Sequence, residues 1–234
     1  MPTIALLTDF GTRDPYVAAM KGVIASRCEA RIVDLTHEIA PFDVWEAAFS
    51  LRDVAPYWPE ETIFVCVVDP GVGTARRIIA IESDKRIFLA PDNGLLTFVG
   101  GNAWDIVNEK HFLPHGSTTF HGRDRFAPLA AALANGTPLS DLGHPIDDWM
   151  RIDYAPGCII RIDRFGNCIT DIVPPPRPFV AEVGGHRIDD LRATYEGEGV
   201  FAIIGSTGCI ELSVANGSAA SQLQLSRGDR VTIV

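Results

Sequence analysis

The chain has 234 residues, 47% of them apolar, enough to bury a full core with room for two modest domains. A formal charge of -10 with no long Lys/Arg cluster argues against a nucleic-acid partner and leaves a small or cationic ligand. No run reaches the roughly 18 apolar residues of a membrane helix and no basic region precedes the N-terminal apolar run. The five cysteines follow no metal or CxxC spacing, so a cytoplasmic protein with reduced core thiols and no metal is expected.

In chain order, "TIALLTDF" reads as a strand, "DPYVAAMKGVIASRC" as a helix, "RIVDLTH" as a strand, "DVWEAAFSLRDVAPYW" as a helix and "TIFVCVVDP" as a strand. This alternation predicts an N-terminal α/β domain around a mostly parallel central sheet. Asp14 before Pro15, and Asp43 before the spaced Val44, Ala47, Ala48 and Leu51, are the helix-start signals. "RIIAIESDKRIFLAPDNG" reads as a hairpin, and "RFAPLAAALANG" as a short helix closed by Asn135 and Gly136. From about Ala155 the pattern becomes short alternating strands with turns, which predicts a C-terminal all-β, barrel-like domain. The expected domains are 1–152 and 153–234, with "PPPRP" at Pro174 to Pro178 as a stiff connection inside the second.

Four loops in the first part carry polar groups that packing does not require, where open α/β sheets place ligands. Asp9 ends the first strand; it can accept hydrogen bonds from vicinal hydroxyls or cap a turn. In "VVDPGVGTARR" the glycines permit a sharp turn with Asp69 and Arg76 on either side, a pair that can hold a water or simply brace the loop. "APDNGLLT" is a turn signal around Asp92, Asn93 and Gly94. "FHGRDRFAP" sets His121, Arg123 and Asp124 before a helix, where His121 can move a proton and Asp124 can cap. In the second part "DRFGN" offers Asp163, Phe165 and Asn167 for an amine, a stacking face and a base edge, and "GSTG" offers Ser206; both also suit hairpin turns. No P-loop, GxSxG or GxGxxG is present.

Together "LLTDFG", "VVDPGVG" with "RR", "PDNGLL", "FHGRDRFAP", "DRFGN", "GSTGCIEL" and "NGSAA" resemble the S-adenosyl-L-methionine (SAM) hydroxide adenosyltransferase family, relatives of the SAM-dependent halogenases. The resemblance implies hydrolysis of SAM to adenosine and methionine by in-line attack at ribose C5′, with no cofactor, in a homotrimer whose sites lie between subunits. It implies a catalytic triad of Asp69, Arg76 and His121, with Asp9 on the ribose, Asp163 on the methionine amine and Phe165 on the base. Asn167 and Ser206 make further contacts, and Ala219 or Ala220 lies near the adenine. A halogenase and a non-catalytic SAM or adenosine sensor are the competing readings. Two positions depart from the family pattern, Asp171 after Thr170 and Gly205 before Ser206, each at a place where Asn is common.

Overall fold

The apolar runs of the first part pair as strands β1 (Thr3–Thr8), β2 (Arg31–Thr36), β3 (Thr62–Val67), β4 (Ile78–Ser83), β5 (Arg86–Pro91), β6 (Asn102–Ile106) and β7 (Gly143–Ile146). The computed structural model describes residues 1–176 and 178–234, which fall into two compact units, Met1–Ile152 and Asp153–Val234.

In the first unit the strands form one sheet in the order β2-β1-β3-β5-β4-β6-β7. Neighbours from β2 to β5 run parallel, whereas β4 against β5, β6 against β4 and β7 against β6 are antiparallel. The sheet is therefore mixed, a correction to the mostly parallel sheet expected from the alternating elements. The cause is local: Asp84 and Lys85 both take positive φ (47° and 58°), which closes a two-residue hairpin and turns the chain back on itself.

Helices α1 (Tyr16–Ala25), α2 (Val44–Val54), α3 (Ala127–Ala134) and the short α4 (Leu139–Leu142) complete the unit. Alternate residues of β1 and β3 enter opposite layers: Ile4, Leu6, Val65 and Val67 pack with Met20, Ile24 and the α3 face, while Ala5, Leu7, Phe64 and Cys66 pack with Ala47 and Leu51 of α2. Asp43 caps α2 by accepting from the Glu46 N–H at 2.9 Å, worth about 1 kcal/mol. The start signal at Asp14 works differently from expectation, since Pro15 takes the cap position and makes no side-chain cap bond. Asn135 and Gly136 (φ 86°) end α3 as expected.

The second unit contains β8 (Ile159–Ile162), β9 (Cys168–Thr170), β10 (Ala181–Val183), β11 (His186–Ile188), β12 (Leu191–Arg192), β13 (Val200–Ile204), β14 (Ile210–Val214), α5 (Ala219–Leu223) and β15 (Val231–Ile233). The strands sort into two sheets, β11-β10-β15 and β12-β13-β14-β9-β8, with a bridge between Cys158 and Arg230. Arg177 of the proline tract lies outside the described residues. Cys66, Cys158, Cys168 and Cys209 are buried and Cys28 half-buried, none of them in a disulfide, and burial raises Cys168 to about 11. Among the described residues no helix is long and apolar enough to cross a membrane.

Candidate active site

β1 and β3 are adjacent and parallel, with Thr8 opposite Val67, so the residues that follow them emerge side by side at the carboxyl edge of the sheet. Asp9 and Asp69 are those residues. Both line a cleft of about 520 Å³, together with Phe10, Phe42, Phe120 and His121. Asp9 also holds the opposite rim, since its Oδ2 accepts from the Phe42 N–H at 2.8 Å across 33 residues of sequence. That contact keeps Phe42 in a left-handed conformation (φ 69°) that a bulky side chain rarely adopts. The Asp9 carboxylate thus bonds to a distant segment rather than capping a local turn.

Arg76 returns across the glycine turn toward Asp69. Its Nε donates to both carboxylate oxygens at 3.1 and 3.0 Å, its Nη2 meets Asp69 Oδ2, and the same Nη2 lies 2.7 Å from His121 Nδ1. Gly73 (φ 81°) lets the turn lie against the chain just before His121, since a Cβ there would stand 2.6 Å from the Thr118 carbonyl. Arg76 does not line the cleft. It stands behind Asp69 and His121 and joins them.

His121 opens a π-helical turn, Gly122–Phe126, that runs into α3, and π turns of this kind recur at functional sites. Gly122 packs against Met20 and the Phe10 ring, which seats the turn on α1. A guanidinium has no acceptor, so the contact with Arg76 makes His121 Nδ1 the acceptor and puts the imidazole proton on Nε2. Nε2 is buried and makes no hydrogen bond among the described residues. Burial, then the charges of Arg125 and Arg76, push His121 down to about 4 against the opposing pull of Asp69 and Asp124; the imidazole is neutral at physiological pH.

Asp124 does not cap α3, contrary to expectation. It lies inside the π turn, accepts from the Ser117 N–H at 2.6 Å and pairs with Arg123 at 2.6 Å, because the helix begins after it rather than at it. "APDNG" is likewise more than a turn: Asp92 is buried and pairs with Arg77, and the Asn93 amide donates to the Val68 carbonyl at 2.8 Å.

In the second unit Asp163, Phe165 and Asn167 line a cleft of about 510 Å³. Asp163 Oδ1 accepts from the Phe165 and Asn167 N–H groups, and Oδ2 from Asn167 Nδ2, each at 2.9 Å. These bonds shape a turn that leaves Phe165 76% exposed. Tyr195, Val214, Asn216 and Gly217 complete the lining; Asn216 and Gly217 open the "NGSAA" stretch, while Tyr195 carried no motif beyond an aromatic in the glycine-rich stretch "TYEGEG". Ser206 is exposed on its own turn and Ala219 is fully buried in the core, so neither lines this cleft. Ala220 is half-buried, and its N–H donates to the Gly166 carbonyl at 3.0 Å, which brings α5 against the Phe165 turn.

The two departures have structural partners. Asp171 Oδ1 accepts from the Gly157 and Cys158 N–H groups at 2.9 and 3.0 Å, and the Glu211 carboxylate occupies the space where a side chain on Gly205 would begin.

A curated (R)-S-adenosyl-L-methionine hydrolase of Thermus thermophilus is 39% identical over the whole of both chains, and one from Salinispora arenicola is 35% identical over 99% of this chain and 97% of its own. A fluorinase of an Actinoplanes species is 32% identical over 73% of this chain and 72% of its own. The crystal structure of an uncharacterized conserved protein from Thermotoga maritima superposes with a TM-score of 0.92 at 31% identity, over 99% of this chain and 100% of that one. The SAM hydroxide adenosyltransferase N-terminal domain matches residues 4–143 and the corresponding C-terminal domain residues 157–232, and the chain belongs to this family.

Proposed function

We propose that the protein hydrolyses S-adenosyl-L-methionine to adenosine and L-methionine. The observation that carries this reading is that Asp69 and His121, joined from behind by Arg76, share the wall of a cleft that Asp9 also lines. The water oxygen bonds to ribose C5′ as the C5′–S bond breaks, and the bonding pair returns to sulfur as a neutral thioether. The sulfonium is its own leaving group, so neither an acid nor a cofactor is required and the demand falls on the nucleophile.

His121 bears its proton on Nε2 and offers a donor to the water, while Nδ1 is taken by Arg76. The imidazole is thereby removed as proton acceptor, and the Asp69 carboxylate receives the water proton and passes it to solvent. Arg76 orients both groups. The Asp69 carboxylate and the sulfonium both lose charge as the proton is taken and the C5′–S bond breaks, so the apolar walls supplied by Phe10, Val67 and Phe42 favour the transition state over the separated ions.

Asp9 takes the ribose hydroxyls; Phe165 stacks on the base with Ala220 near the adenine, Asn167 reads the base edge, Asp163 receives the methionine amine, and Ser206 makes a further contact. Each unit holds one part of this set, which supports a homotrimer whose sites pair the first unit of one subunit with the second unit of the next. Domains 1–152 and 153–234 are the corresponding functional divisions, and cysteines held outside disulfides suit a reducing cytoplasm. The relatives are named for the (R) sulfonium epimer, and we carry that preference to this chain. In-line attack at C5′ is the same for both epimers, so discrimination rests on contacts to the methyl and methionine arms.

The test incubates the purified protein with each SAM epimer, with and without chloride or fluoride, and separates the products chromatographically. Adenosine plus methionine without halide is expected, with kcat reduced by about 10²–10⁴-fold in Asp69→Asn and His121→Ala. Halogenated adenosine would make the protein a halogenase, and tight binding without product a sensor.

A further inference from the structure

The Asp69 to Arg77 loop presents Asp69 at its first position and Arg76 one residue before its last, and both ends are tied to the same dipeptide. At the entry, Asn93 Nδ2 donates to the Val68 carbonyl at 2.8 Å, the peptide oxygen directly before Asp69. At the exit, Arg77 Nε donates to Asp92 Oδ2 at 2.8 Å and the Asp92 N–H donates to the Arg77 carbonyl at 3.1 Å. That carbonyl also lies 3.4 Å from Arg76 Nη1, so one oxygen carries the Asp92 amide and a guanidinium of the reacting set.

The dipeptide is itself immobilised. Asp92 is buried, and its other oxygen accepts from the Met150 N–H at 2.7 Å. Arg77 reaches outward to Asp148 Oδ1 at 2.9 Å and to the Asp148 carbonyl at 2.8 Å. Neither Asp92 nor Asn93 lines the cleft.

We propose that Asp92 and Asn93 are positioning residues, which pin both ends of the Asp69 to Arg77 loop and thereby hold Asp69 and Arg76 against His121. The proposal rests on the hydrolytic reading above and extends it to residues that touch no substrate. Asp9 and the second unit's groups lie on other segments, so releasing this loop impairs the chemical step more than binding.

The experiment uses full-length Asn93→Ala, with Asp92→Asn as the second variant in case the first fails to fold. Kinetics with SAM should show kcat reduced by about 10–100-fold, the effect of a misplacement on the order of 1 Å, with KM within about threefold. Placing Asn93→Ala in a His121→Ala background separates positioning from general damage. If Asn93 acts through the Asp69–Arg76–His121 set, the second substitution adds little; a multiplicative further loss overturns the proposal. A readout independent of turnover is the NMR titration of His121, whose near neighbours are Arg76, Arg125, Asp69 and Asp124. In the variants its midpoint should shift from about 4, upward where Arg76 withdraws and downward where Asp69 does, while burial and Arg125 continue to hold it low. An unchanged midpoint with unchanged kcat overturns the positioning role. A wild-type protein that releases no adenosine overturns the hydrolytic reading instead, and the titration still decides whether the clamp holds the loop.

Discussion

Arg76 is the connector among the polar residues of the cleft: nearly all of its donor groups meet Asp69, His121 or the Arg77 carbonyl. Its pairing with Asp69 was legible in the sequence because both lie on one glycine turn. The approach of His121 was not, since it depends on the π turn and on Gly122 meeting Met20 and Phe10 from another helix and loop. The cap expected of Asp124 failed for a related reason: its burial inside the π turn is a tertiary property, and the local pattern did not reveal it. The state of His121 has a measurable consequence. Its folded midpoint lies near 4 and its unfolded one near 6.5, so between these values the unfolded chain binds the proton and the folded chain does not. Stability from this group is complete above about pH 6.5 and declines as pH falls toward 4. Thermal unfolding at a series of pH values should show a shallower decline across that window in His121→Ala than in the wild type. The kcat profile should lack an acid limb near 6.5; finding one that disappears in the residual activity of His121→Ala would show that His121 titrates normally.

At the scale of elements, the βα alternation correctly located β1, α1, β2, α2 and β3, because buried parallel strands and amphipathic helices write strong local patterns. The same alternation overstated the parallel character of the sheet, since strand direction after β3 is set by turn conformation and by pairings distant in sequence. β11, β12 and α5 escaped notice because two to five residues carry too little periodicity. The junction between the Phe165 turn and α5 is where these short elements matter most. Gly166 (φ 86°) lies so close to Ser218, the α5 cap, that a Cβ would overlap it. Gly166→Ala is expected to cost about 2 kcal/mol or more, combining backbone strain with displacement of the cap, and to lower the Tm by several degrees. It should also raise KM for SAM more than it lowers kcat, because the turn aims Phe165 while the reacting groups sit in the other unit. Calorimetry and steady-state kinetics on one preparation check both; an unchanged KM would detach Phe165 from substrate binding.

At the scale of the molecule, each unit has its own core and its own cleft, and the sequence revealed this division through the change from alternating βα elements to short strands. The proposed homotrimer, with sites shared across subunits, makes a prediction that a site within one chain does not. Asp69→Asn and Phe165→Ala subunits, each impaired alone, should regain activity when unfolded together and reassembled, because some sites then combine an intact first unit with an intact second unit. Activity that never exceeds the mean of the two separate preparations would place both halves of the site in one chain. The contact between Gly205 and Glu211 bears on how such a chain can diverge. With a carboxylate standing where the residue 205 side chain would begin, a larger residue there becomes admissible only after position 211 has been shortened or redirected. The two sites are thus epistatic, and the order in which substitutions arrive decides which sequence paths stay folded.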